Sequence, residues 1–348
     1  MGRRTIQNSP EAAALADVLG LPVAGVAGKS RMDPDLGDLL SAGTHQFAIV
    51  HPRSAGVGAV AEAAAAAKAA AKNVGRRAIP LVVVPFMSEA ARRACEDVGV
   101  SWFDLSGNAR IVATGLRVFI DGRPNQFLRL GRPASLFAPK SARVVRWLLM
   151  NPGKAATQRE ISRATNMTEG FVSRIAARLE QEAYVVREVS GALRFKDPDL
   201  VLDAWRQEYQ FAKHDLVAGH IAARSGDALT RFLGTQLTEQ GIPYAATGLA
   251  AAWQFDRFAA FRIATFFLKE RLSPARKDKL GFREEARGAN VWLVVPNDEG
   301  VFLEAAEQDG IVCVHPLQAY LDLKAHPERA VEAAAHLRSD KLNWKQHG

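Results

Sequence analysis

Along the first 120 residues, short apolar runs alternate with stretches of helical spacing. The runs are FAIVHP (47–52), PLVVVPF (80–86), VSWFDL (100–105) and ARIVATGLRVFI (109–120). Between them lie an Ala-rich helix from Gly58 to Lys72 and a helix from Ser88 to Val98. Ser88 is a start signal for the second helix and Gly99 a stop. Buried runs of this length separated by helices predict an α/β domain. The segment AEAAAAAKAAAK reads as a plain helix that packs through small side chains. From about residue 206 the mixed pattern returns, with a helical start, TGLAAAW, FRIATFFL (261–268), NVWLVVP (290–296), GIVCVHP (310–316) and a helical tail. No internal repeat interrupts it. The stretch 121–140 contains three Pro and several Arg and reads as a linker. The predicted fold class is α/β in the broad sense, an α+β multidomain chain with blocks at 1–125, 126–205 and 206–348.

The pattern is sharpest over 141–196. SARVVRWLLM is an amphipathic helix that stops at Asn151-Pro152-Gly153. Thr157 then caps a short helix, QREISRAT, and Glu160 three residues on completes a capping box. Asn166-Met167 makes a tight connection, and Thr168 caps EGFVSRIAARLEQE. On that helix Val172, Ile175, Ala176 and Leu179 share one face. Glu169, Gly170, Ser173, Arg174, Ala177 and Arg178 share the other. Two β runs, YVVREV and ALRF, follow around a Ser190-Gly191 turn.

Charge adds direction to this picture. The chain of 348 residues carries a net +8. From Gly107 to Arg146 the bases are Arg110, Arg117, Arg123, Arg129, Arg132, Lys140, Arg143 and Arg146, and Asp121 is the one acid. Nearly all the excess charge therefore sits in one segment, the footprint expected for phosphate contacts. At 48% hydrophobic and 24% charged residues, the composition is that of globular proteins, which argues against wholesale disorder. No apolar stretch approaches the ~18 residues of a membrane span. The N-terminal sequence has no apolar core of the kind a secretory signal needs. Cys95 and Cys313 are too few for a disulfide framework or a Cys-based zinc site. These features predict a soluble cytoplasmic protein, nucleoid-associated if it binds DNA.

Helix, helix, turn, helix, hairpin is the order of a winged helix-turn-helix. The stretch TQREISRATNMTEGFVSRIAARLEQEAYV resembles that family. The resemblance implies double-stranded DNA as partner, with the second helix of the motif in the major groove. Thr157, Gln158, Thr168, Glu169, Gly170, Phe171, Ser173, Arg174 and Arg178 are the candidate contacts there. Arg174 and Arg178 suit guanine O6/N7 or phosphate, and Ser173 either. Phe171 touches a thymine methyl if exposed and belongs to the core if buried. Arg187, Arg194 and Lys196 of the wing suit the backbone or minor groove. Arg129, Arg132, Lys140 and Arg143 suit phosphates. Winged helices also serve as protein–protein modules.

The run IPLVVVPFMSEAARRACEDVGVSWFDLSGNARI is similar to the second half of restriction-endonuclease-like domains. That resemblance places the catalytic strand at FAIVHPRSAG, where active members carry Glu-x-Lys after an upstream Asp. Here His51-Pro52-Arg53 stands in that place and Asp38 is the candidate Asp. Mg²⁺ prefers oxygen ligands, so the block is expected to lack nuclease activity. Asp104 and Asn108 are expected to form a structural Asx turn.

KDPDLVLDAWRQEYQF, YAATGLAAAW, GANVWLVVPNDEGVF and DGIVCVHPLQAYLDLKAHPERAVEAAAHLR together resemble AbiEi-family proteins, winged-helix regulators that include antitoxins of type IV systems. The fold this implies at 206–348 is nucleotidyltransferase-like. An active enzyme of that kind needs carboxylates for two metals on the strand after its phosphate loop. Thr247-Gly248-Leu249 stands at the loop, FRIATFFL has no acid, and Asp256 is solitary. The eight His residues are scattered, and helical surface positions are their expected setting. The expectation is a sequence-specific transcriptional regulator, homodimeric, with no catalytic residues, metal or cofactor. The alternatives are an antitoxin that binds a toxin protein, or a DNA-directed nuclease or nucleotidyltransferase.

Overall fold

The computed structural model describes residues 10–25, 38–75, 77–127 and 135–344. Their contacts group into two units. One holds the described residues before 134 together with Ala176–Val189 and Phe195–Gln207. The other holds 135–175, Ser190–Arg194 and the described residues from Glu208 onward. The line between them therefore passes through the winged-helix segment.

The first unit opens with α1 (Pro10–Leu19), β1 (Val23–Gly25), β2 (Asp38–Ala42) and β3 (His45–Val50). Then come α2 (Val57–Val74), β4 (Ala78–Val84), α3 (Glu89–Asp97), β5 (Ser101–Asp104), β6 (Ala109–Ala113) and β7 (Leu116–Ile120). The strands lie in spatial order from β1 to β7. Pairing is parallel at β3–β4 and β4–β5 and antiparallel at the other steps. The two parallel steps are those bridged by α2 and α3, because parallel neighbours need a crossover. Phe47, Ile49, Leu81, Val83, Phe103 and Ile111 join Ala12 and Leu15 of α1 in one core. Ala48 turns to the opposite face and meets Ala70 and Ala71 of α2. The alanines of α2 do pack as a small-residue stripe, with Ala63, Ala64, Ala67, Ala70 and Ala71 buried. The apolar run 109–120 is a hairpin, not one strand.

The structure places Asp38 opposite Ile49 across β2–β3. His51, Pro52 and Arg53 lie beyond the end of β3, and Arg53 pairs with Glu62 at 3.2 Å. Among the described residues, no three His, Cys, Asp or Glu side chains gather as metal ligands. The Asp104–Asn108 turn forms. Asp104 is fully buried and accepts from Met87 N at 3.0 Å, Asn108 N at 2.9 Å and Asn108 Nδ2 at 3.0 Å.

The winged-helix segment comprises α4 (Pro139–Met150), α5 (Gln158–Thr165), α6 (Glu169–Gln181), β8 (Val185–Arg187) and β9 (Leu193–Phe195). The helix expected to start near 206 is α7 (Pro198–Glu208), which begins earlier, at the Pro after Asp197. The second unit continues with β10 (Asp215–His220), α8 (Gly226–Glu239), β11 (Tyr244–Thr247), α9 (Gly248–Asp256) and β12 (Ala264–Leu268). It ends with α10 (Pro274–Lys279), β13 (Arg283–Glu284), β14 (Val291–Val295), β15 (Ala306–Gln308), β16 (Ile311–Cys313), α11 (Pro316–Asp322) and α12 (Ala330–Lys341). Its mixed sheet has the order β13-β10-β14-β12-β11-β16-β15. Central β12 is buried along its whole length, which explains why Thr265 is its one polar residue.

Three histidines correct the surface expectation. His214 and His326 are buried, and His315 caps α11 by accepting from Leu317 N at 3.1 Å. The Asp256 carboxylate lies 3.0 Å from His336 Nε2. Cys95 and Cys313 are buried free thiols, each pushed up to about 12 by burial. Among the described residues, no helix is long and apolar enough to cross a membrane.

Candidate nucleic-acid interface

The helix-turn-helix is built by short-range chemistry. Thr157 Oγ1 accepts from Glu160 N at 3.3 Å, and Glu160 Oε2 accepts from Thr157 N at 2.8 Å. The capping box is thus closed, and these bonds hold the Glu160 carboxyl below its ordinary range. Asn166 adopts the left-handed conformation (φ 53°) and ends α5, a conformation that Asn tolerates better than most residues. Met167 N then bonds back to Ser162 O at 3.1 Å. Thr168 Oγ1 accepts from Phe171 N at 3.3 Å and starts α6.

On α6 the two predicted faces separate, except that Arg178 of the outward face is half-buried. Val172, Ile175, Ala176 and Leu179 are buried. Glu169, Gly170, Ser173, Arg174 and Ala177 are exposed, while Phe171 and Arg178 are half-buried. The two settings left open for Phe171 are both in part realised. Its ring stays on the surface, and the Arg174 guanidinium carbon lies over it, 5.6 Å from the centroid.

The other candidate cations divide. Lys140 and Arg194 are exposed. Arg187 is exposed but forks onto Glu180, Nε to Oε1 at 2.8 Å and Nη2 to Oε2 at 2.9 Å. Lys196 pairs with Glu62. Arg143 does not face outward as a phosphate contact would. Its guanidinium forks onto Asp298 at 2.7 and 2.9 Å, and both side chains are largely buried. Gln158 and Thr157 are half-buried, with Thr157 engaged in the cap. Arg129 and Arg132 lie outside the described residues. Sequence reasoning passed over Arg159 and Arg163 of α5, both exposed and without an ion pair among the described residues. Their i,i+4 spacing was the available signal.

A buried polar network holds α4 within the second unit. Arg146, 3% exposed, donates from Nη2 to Gln318 Oε1. Gln318 Nε2 donates to Tyr209 Oη at 3.0 Å and to Asp322 Oδ1 at 2.8 Å. The Tyr209 and Thr247 hydroxyls also donate to Asp322. His214 Nδ1 accepts from Asn297 N at 3.1 Å. Its proton therefore sits on Nε2, which donates to Tyr209 Oη at 2.8 Å. Burial pulls Arg146 down to about 10 and pushes Asp322 up to about 6. At neutral pH the two remain opposite charges in one low-dielectric site.

Residues 137–192 match the MarR family, so the segment that carries this geometry is a winged helix of that kind. No curated protein and no solved structure matches the chain.

Proposed function

We propose that the protein is a sequence-specific DNA-binding transcriptional regulator without enzymatic activity, built on an AbiEi-like plan. The observation that carries the proposal is the exposed face of α6 within a segment that matches the MarR family. In a winged helix, the second helix of the motif enters the major groove, and the first turns of that helix meet the base edges. Here those turns present Gly170, Phe171, Ser173 and Arg174. Arg159, Arg163, Lys140 and Arg194 offer charge to phosphates, and the first two extend the set expected from sequence. As a homodimer it would bind a palindromic operator, because two-fold symmetry in the protein is mirrored in the site.

Selection of bound duplexes from a random pool, with Mg²⁺ present and product lengths checked on a gel, tests this reading. It predicts an enriched, uncut motif. Arg174→Ala with Arg178→Ala should weaken binding to that motif at least about fivefold, since a bidentate arginine–guanine contact contributes about 1–3 kcal/mol. Far-UV circular dichroism should stay unchanged, because neither residue is buried. Unchanged affinity in the double variant sinks the groove assignment, and cut DNA sinks the non-enzymatic part.

A further inference from the structure

We propose that the first turns of α6 read a 5-methylpyrimidine–guanine step, thymine followed by guanine in unmodified DNA. The proposal rests on the reading of α6 as the major-groove helix. Phe171 supplies apolar contact to the pyrimidine methyl, and Arg174 forks onto guanine O6 and N7.

Three observations converge on this pair. Phe171 and Arg174 are three residues apart, so they are neighbours on one helix face. The Arg174 guanidinium rests over the Phe171 ring at 5.6 Å. At that distance the guanidinium is drawn to the ring face by cation–π attraction, which uses none of its N–H donors. Second, Arg174 has no carboxylate partner among the described residues, whereas Arg143, Arg187 and Lys196 all do. Its donors are therefore not spent on an acid among the described residues. In the major groove the thymine methyl and the acceptors of the next guanine lie one base step apart, about 3.4 Å along the strand. The Phe171 ring and the Arg174 guanidinium, 5.6 Å apart on one helix face, can each reach one member of such a step.

The third observation is Gly170. It is exposed on α6, its φ is helical, and a Cβ there would meet nothing within 4 Å. Neither backbone conformation nor internal packing requires glycine. Gly170 is the second residue of α6, and glycine has the poorest helix propensity of any residue except proline. A missing side chain next to the Phe171–Arg174 pair lets the helix backbone approach an external partner closely.

The test uses the full chain and the duplex enriched from the random pool. That duplex is resynthesised with deoxyuridine in place of the thymine of the step, which removes only the methyl. The wild type should lose about fourfold in affinity, the worth of one buried methyl-sized group. Replacing the T·A pair by 5-methylcytosine·G should retain the affinity, and plain C·G should lose it. Phe171→Ala should bind the thymine and uracil duplexes equally. Gly170→Ala should melt at the same or a higher temperature and yet bind more weakly. Equal affinity of the wild type for thymine and uracil duplexes overturns the proposal and leaves the DNA-binding reading intact. An enriched motif with no pyrimidine–guanine step does the same. No enriched duplex at low salt overturns both.

Discussion

Arg146 and Asp322 show how one residue's context sets its worth. Asp322 is fully buried and accepts from Tyr209, Thr247 and Gln318, with the Arg146 charge nearby. Removing one member of such a set leaves an uncompensated buried charge, which typically costs about 3–5 kcal/mol. Asp322→Ala should therefore lower stability by that order in urea denaturation. Arg93→Ala breaks only the exposed pair with Glu89, and exposed pairs contribute about 0–1 kcal/mol. Equal midpoints for the two variants would show that the network does not hold the second unit together. In the sequence Arg146 looked like one more base in a basic segment. Its burial depends on Gln318 and Tyr209, which are far away along the chain, so no local pattern could reveal it.

Elements in this chain differ in how far their neighbours define them. Helix α5 has only eight residues, too short to persist alone. Its capping box is nevertheless legible, because Thr157 and Glu160 are three residues apart and the bonds are local. Thr157→Ala should cost about 1 kcal/mol and lower the melting temperature, while the Thr168 cap of α6 stays intact. A cost near zero would mean that α5 is held by packing alone. Helix α2 illustrates the other case. Its alanines predicted close packing, but not against what. Gly58 near its start leaves room for the backbone of Glu182 and Ala183, and a Cβ would lie 2.6 Å from Glu182 O. Nothing within α2 signals that approach.

For the whole molecule, buried histidines set the response to pH. Burial depresses His214, His315 and His326, each to about 4. In the unfolded chain they take up protons below about 6.5. The unfolded state thus binds more protons between about 6.5 and 4, and stability falls as the pH drops through that window. Asp322 acts in the opposite direction. Its folded value near 6 lies above the ordinary carboxylate value, so its contribution favours the fold as pH falls from about 6 towards 4. Three groups oppose one. Urea midpoints followed by tryptophan fluorescence should fall between pH 7 and pH 5, and His326→Gln should flatten the slope. A midpoint that rises on acidification would reverse this account.

At this scale the division of information is clear. By itself, the sequence determined the alternation of strands and helices, the two caps, the separation of the α6 faces and the α+β character. All of these follow from period and from bonds spanning a few residues. Only the tertiary structure decided where the charges go. Arg143 turns inward to Asp298, Arg187 and Lys196 are held by Glu180 and Glu62, and Arg174 stays open on the Phe171 ring. Asp298 and Glu62 lie more than a hundred residues from the cations they hold. Coulomb attraction and desolvation act through space, and a basic stripe in a sequence carries no record of which of its charges the fold will consume.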